Sequence, residues 1–196
     1  MKSKKTIFIS IAVVLFISLT GYIISESKVP KGWLLTGSSP GSYEVGVDKK
    51  AMEKGGNSVY LKSIEENISG FGTLMQNFSA DNYLNKRVRF SGSVRSKNVV
   101  GTAGLWMRVD GKEDPTKPLA FDNMNDRPIT GTTEWKKYDV VLDVPAKSSL
   151  INIGILLAGS GEVWLSNIKV EIVDRTVPTT GSAKAADEPV NLNFEN

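Results

Sequence analysis

From Arg87 to Arg95, Val88, Phe90, Gly92 and Val94 alternate with Arg87, Arg89, Ser91, Ser93 and Arg95. A period of two sends the two sets to opposite faces of a strand, one buried and one wet. Tyr138, Val140, Leu142 and Val144 repeat the pattern against Lys137, Asp139, Val141 and Asp143. Short runs of this kind, separated by Gly, Pro, Asn and Asp, predict strands over 33–36, 43–48, 58–63, 72–78, 87–94, 104–110, 119–122, 135–144, 151–157 and 162–173. Behind residue 24 no long segment has helical period, and only 51–54 or 64–67 suggest a single turn. Within the last run Val163 and Leu165 share a face, Ser166-Asn167 shifts the register, and Ile168, Val170 and Ile172 continue. An extra residue of that kind predicts a β-bulge. The expected fold is all-β: an antiparallel jelly-roll β-sandwich spanning residues 28–175.

The two ends depart from this pattern. Thr6 to Ile24 is a run of uncharged, mostly apolar residues behind Lys2, Lys4 and Lys5. As a helix it reaches roughly 28 Å, enough for a bilayer core. It exceeds an ordinary signal-peptide core, and the best small-x-small site, Ser25-Glu26-Ser27, is weak. Residues 1–27 are therefore expected to form one hydrophobic helix, a membrane anchor in preference to a cleaved signal. Lysines held inside send the domain outside the cytoplasm, single-pass at the cell membrane or, if cleaved, secreted. Residues 176–196 are Thr-, Ala- and Pro-rich and predict a disordered polar tail. Val190, Leu192 and Phe194 could add a short edge strand.

Charge narrows the partners. The chain has 24 basic and 21 acidic residues, and three of the basic ones precede the apolar run, so the remainder is balanced. A nucleic-acid binder needs a basic face, and none is expected here. There are no cysteines and no histidines. Disulfides, thiol nucleophiles, acylated-cysteine anchors, histidine triads and histidine-bearing zinc sites are excluded in this polypeptide alone. Carboxylate-pair and Ser-Lys chemistry remain open, but no spacing selects a pair; Asp110 with Asp122 is the best case for glycoside hydrolysis. No catalytic residue, cofactor or metal is expected. Glu44, Asp48 and Glu171 are the nearest oxygen donors for a calcium ion.

Two clusters could bind a ligand. Trp106 and Arg108 flank Met107 and so share a face, while Leu105, Met107 and Val109 take the core side. An outward Trp-x-Arg pair offers an aromatic platform for the C–H face of a sugar beside a fork of donors for its hydroxyls; alternatively Trp106 lies under a loop and Arg108 serves a nearby acid. The loop FDNMNDR gathers Asp122, Asn123 and Arg127 where sandwich folds place function, although Asp and Asn are ordinary turn residues. Trp135 and Trp164 open closing strands and are expected in the core.

Several phrases together resemble the carbohydrate-binding-module type of galactose-binding-like jelly roll: GGNSVYLKS, NKRVRFSGSVRS, GTTEWKKYDVVLDVP and GEVWLSNIKVEIV, in that order. The resemblance covers residues 33–173. It implies a jelly roll that binds carbohydrate without catalysis. Such modules often end on an acidic residue where this chain has Ser166-Asn167, and Tyr43-Glu44 with Asp48 stand nearest to the phrase that helps hold their structural calcium. GWLLTGSSPGSYEVGVD, AGLWMRVDG, FDNM with RPI-x-GTT, and GILLAGSGEVW resemble an uncharacterised bacterial domain found alone or beside regulatory or enzymatic domains. EPVNLNFEN resembles a linker into a following domain. No helix-turn-helix pattern accompanies these phrases. The expected function is a non-catalytic, membrane-anchored module outside the cytoplasm for carbohydrate or a small polar ligand. A structural or protein-interaction module is the alternative, and a glycan hydrolase the third; no protein partner is identified.

Overall fold

The computed structural model describes residues 29–51, 57–114 and 116–181. The expected N-terminal helix and residues 182–196 lie outside them, as do residues 52–54 of one expected helical turn. The other, at 64–67, is a series of bends. The described residues form eight strands: β1 Leu34–Gly37, β2 Tyr43–Asp48, β3 Ser58–Ser63, β4 Phe71–Ser79, β5 Lys86–Gly111, β6 Pro118–Asp122, β7 Ile129–Val144 and β8 Ser148–Val173. Among the described residues the helical elements are two 3-10 turns, Pro40–Ser42 and Asp81–Tyr83. No helix there is long and apolar enough to cross a membrane.

Four of the expected strands fuse into two. The runs at 87–94 and 104–110 are one 26-residue strand, β5, and those at 151–157 and 162–173 are one 26-residue strand, β8. The two pair antiparallel along their whole length, from Arg87 opposite Val173 to Gly111 opposite Ser148. This ribbon serves both layers of the sandwich. The first half of β5 and the second half of β8 join β7, β3 and β2 in the order β7-β5-β8-β3-β2. The other halves join β6, β4 and β1 in the order β6-β5-β8-β4-β1. The passage between layers falls where Asn98, Gly101, Gly159 and Gly161 all have positive φ. Gly159 has φ 81°, and a Cβ there would stand 2.2 Å from the Val100 carbonyl oxygen, so glycine alone fits the bend.

The interior follows the alternation. Val88, Phe90, Val94, Val140, Leu142 and Leu165 from one layer meet Leu74, Leu105, Met107, Val109, Ile153 and Ile155 from the other in a single buried cluster. The core parity of β5 switches from even to odd across its bends, as inserted residues in a ladder require. The expected bulge is present: Ser91 opposes Lys169 and Ser93 opposes Ser166, with Asn167 at φ 51°.

Trp164 and Trp135 correct the expectation that both belong to the core. Trp164 is buried, but Val163 and Leu165 hold the core face, so it lies on the opposite one. There Arg95 stacks 4.1 Å from its ring and Asp48 accepts its Nε1 proton at 3.0 Å. Trp135 is half-buried, 5.9 Å from the same guanidinium.

Residues 176–181, placed by composition in the polar tail, run along β7. Thr180 N donates to the Val141 carbonyl at 2.9 Å, and Val141 N donates to Thr180 Oγ1 at 2.8 Å. Arg87 holds the preceding turn through the carbonyls of Arg175 and Val177 while forming a two-pronged pair with Asp143. Among the described strands β7 pairs only with β5, and this segment covers its otherwise open edge.

Candidate functional site

A groove of about 670 Å³ crosses the outer face of the β6-β5-β8-β4-β1 layer. Its floor is β8. Pairing places Trp106 opposite Gly154 and Arg108 opposite Asn152, and on the far side Gly154 pairs with Met75 of β4. Trp106 leans across β8, and its Nε1 donates to Thr73 Oγ1 at 2.7 Å. Thr73, itself buried, passes its own proton to the Ile155 carbonyl at 2.9 Å. A Cβ on Gly154 would stand 2.8 Å from Trp106 Nε1. The missing side chain therefore lets the indole lie over the strand, and a three-member hydrogen-bond chain fixes its orientation. Nε1 and Cε2 of the indole lie against Gly154, and the residue as a whole is half-buried.

Beside it Arg108 Nε donates to Asp110 Oδ1 at 2.7 Å, and Asn152 Nδ2 donates to Asp110 Oδ2 at 2.7 Å. Asp110 is 7% exposed and Asn152 6%. The carboxylate thus neutralises the arginine and orients the amide. Because Nδ2 must face Asp110, the Asn152 amide oxygen is left as an acceptor within the groove lining. Asn123 and Asn125 add polar groups at the β6 end. The arrangement supplies an aromatic platform, a charge-balanced donor fork and amides, a set suited to a polyhydroxylated, uncharged molecule.

The predicted site residues divide. Trp106, Arg108 and Asn123 line this groove. Asp122 and Arg127 do not. Asp122 pairs with Met107 in the ladder and so faces inward with it. Its side chain is 2% exposed and meets Arg127 Nη2 at 2.6 Å, while Oδ1 accepts from the Met124 amide at 2.8 Å. Arg127 also donates to the Asp139 carbonyl and to Asp126. Burial pushes the Asp122 carboxyl up, but Arg127, Thr180 and the Met124 amide outweigh it and hold it below the usual carboxylate range. This pair shapes the loop from within. Asp110 and Asp122, the candidate hydrolytic pair, therefore face opposite sides of the layer and cannot flank one bond.

Sequence reasoning missed Thr73, Asn152, Gly154, Phe71 and Phe121. Phe121 had a signal, since it alternates with Asp122 and pairs with Arg108; the others join only through β4–β8 register. The three carboxylates nearest to a calcium set stand apart: Glu44 pairs with Lys62, Asp48 caps its turn and Trp164, and Glu171 pairs with Arg89 and Lys169. Among the described residues no three such side chains could share an ion.

Thr73→Val tests the rigidity of the platform. Loss of the acceptor for Trp106 and of the bond to Ile155 is expected to cost about 1 kcal/mol of stability and to broaden the indole Nε1–H signal in NMR. An unchanged Nε1–H shift would show that Thr73 does not hold the ring.

The fold is that of β-sandwich carbohydrate-binding modules. The CBM22-1 xylan-binding domain from Paenibacillus barcinonensis Xyn10C superposes with TM-score 0.50 at 18% identity, over 76% of this chain and 90% of that domain. The enzymatically active domain of Bacteriophage CBA120 tailspike protein 4 gives TM-score 0.56 at 15% identity, over 73% of this chain but 20% of the tailspike chain. In sequence, the chain is 48% identical over 172 residues to a Bacillus subtilis (strain 168) protein named an uncharacterized HTH-type transcriptional regulator, YbfP. That match covers 86% of this chain and 58% of the relative. No family model matches the chain.

Proposed function

We propose that this protein is a non-catalytic binding module for carbohydrate. The observation that carries the reading is Trp106, locked over Gly154 beside the Arg108–Asp110–Asn152 cluster in a groove on one sheet face. Sugars present apolar C–H faces to aromatic rings and hydroxyls to amides and guanidinium groups, and this groove offers both at neighbouring positions. The likeness in fold to a xylan-binding domain agrees with it. Hydrolysis fits less well. Among the described residues lining the groove Asp110 is the one carboxylate, already bound to Arg108 and Asn152, and glycosidases ordinarily need two.

The module is placed outside the cytoplasm on a membrane anchor, supported by Lys2, Lys4 and Lys5 ahead of the uncharged Thr6-to-Ile24 run. The relative named as a regulator is longer than this chain. The part it shares is proposed to bind the same class of ligand there, whatever the remainder does.

Affinity electrophoresis of the full chain through gels containing soluble polysaccharides tests the function. Retardation by at least one glycan is expected, and Arg108→Ala should weaken it about tenfold, since a donor to a charged-group hydrogen bond is lost. Unretarded migration in every gel rejects carbohydrate binding. Release of the chain from membranes by alkaline carbonate would reject the anchor.

A further inference from the structure

The groove holds more than one platform. Phe71 of β4 and Phe121 of β6 also line it, 38% and 45% exposed, so both present aromatic rings to the groove. Both share the Trp106 face: Phe71 lies two residues before Thr73 on β4, and Phe121 pairs with Arg108. The ladder gives their spacing. Phe71 pairs with Ala158, which pairs with Thr102, whereas Phe121 lies in the row of Arg108, six residues further along β5. Three strand intervals across and six residues along amount to roughly 25 Å on the diagonal. Trp106, on β5 but reaching over β8 toward Thr73, falls between them.

The charges of the groove are as informative. Among the described residues that line it, only Arg108 and Asp110 have charged side chains, and they bind each other. No second cation stands among those residues for a carboxylate, sulfate or phosphate on the ligand. An anionic glycan would have to surrender its hydration to a guanidinium that Asp110 already neutralises.

We infer that the ligand is an uncharged, linear glycan several sugars long, laid obliquely across β4, β8, β5 and β6, with Phe71, Trp106 and Phe121 each carrying one ring. This rests on the carbohydrate reading and refines it. Phe71 and Phe121 are then the end subsites, and affinity rises with chain length until both are covered. Asn152 and Arg108 address hydroxyls near the middle, next to Trp106.

The test is calorimetry of the full chain with whichever neutral polysaccharide retards it and with the matching disaccharide and hexasaccharide, alongside electrophoresis in polygalacturonate. The hexasaccharide is expected to bind at least tenfold more tightly than the disaccharide. Phe71→Ala and Phe121→Ala should each weaken the hexasaccharide two- to tenfold and leave the disaccharide unchanged. Both phenylalanines are exposed, so the variants should fold, and an unaltered melting temperature verifies it. Equal affinity for both lengths, or hexasaccharide binding indifferent to both substitutions, overturns the extended site. Retardation by polygalacturonate alone overturns the neutral ligand while leaving carbohydrate binding intact. Binding to no glycan at all overturns the underlying function instead.

Discussion

Trp106→Ala is expected to abolish most glycan binding while leaving the sandwich folded. A central aromatic anchor is worth at least about 2 kcal/mol on truncation, roughly a thirtyfold loss of affinity. The expectation exceeds that for either phenylalanine because Trp106 lies centrally and is held rigidly. Thr73 fixes its Nε1, Gly154 admits its ring, and so little ordering remains to be done on binding. The sandwich core depends instead on Leu105, Met107 and Val109, on the other face of the same strand and fully buried. The measurement is a pair: the dissociation constant for the retarding glycan, and the unfolding midpoint. Full affinity in a folded Trp106→Ala variant would remove the groove from consideration as the binding site. Lost affinity together with collapse of the fold would mean that the indole is a structural prop.

Arg127→Ala should produce the opposite phenotype, a large loss of stability with a milder effect on any contact made by Trp106. Removing the guanidinium leaves the Asp122 carboxylate, 2% exposed, without its cation. Breaking a buried pair from one side costs about 3–5 kcal/mol, which for a domain of this size lowers the melting temperature by roughly 10 °C. The pH dependence distinguishes this cause from lost packing. In the native protein Asp122 and Asp143 both lie below the ordinary carboxylate range, Asp143 because Arg87 grips it. Groups depressed on folding contribute stability that is complete above the unfolded value, near 3.9, and is lost as pH falls through the lower folded values. Without Arg127 burial dominates at Asp122, its pKa rises, and the penalty is worst where the carboxylate is charged. The deficit of the variant in urea unfolding should be largest at pH 7 and shrink toward pH 4. A deficit independent of pH would locate the damage in packing alone. Asp122→Asn combined with Arg127→Met should recover part of the loss, since the buried charge is then gone.

The contrast between these two substitutions shows what local sequence could reveal. Trp106 and Arg108 were legible because alternation is local: once Leu105, Met107 and Val109 look like core, their neighbours must face the other way. The strand boundaries at 43–48 and 58–63 follow from the same periodicity and match β2 and β3. Asp122 defeated that logic. A carboxylate next to an exposed phenylalanine looks solvated, yet the pairing of Asp122 with Met107 turns it inward, and its cation comes five residues later from the loop. Trp164 shows the converse. Large and apolar, it suggests core, but Val163 and Leu165 had already claimed that face. Thr73, Asn152 and Gly154 were out of reach for another reason. Nothing local marks them, and they meet Trp106 only through the β4–β8–β5 register, a relation among residues up to 82 positions apart. The fusion of paired runs into β5 and β8 was hidden by the glycines between them. Gly101, Gly159 and Gly161 look like turns, and here they bend strands that never stop pairing.

The bent ribbon sets an order on the birth of the protein. Its two halves are separated by β6 and β7, so β5 waits for its partner until β8 is synthesised, and β8 is also the strand that carries Asn152 and Gly154. During translation the tryptophan platform therefore emerges long before the surface it rests on. Until Ser148 and the residues after it leave the ribosome, both layers lack their shared central strand and Trp106 has nothing to lie against. Pairings this distant are slow to close, so the groove is completed only after β8 has joined β5 and β4.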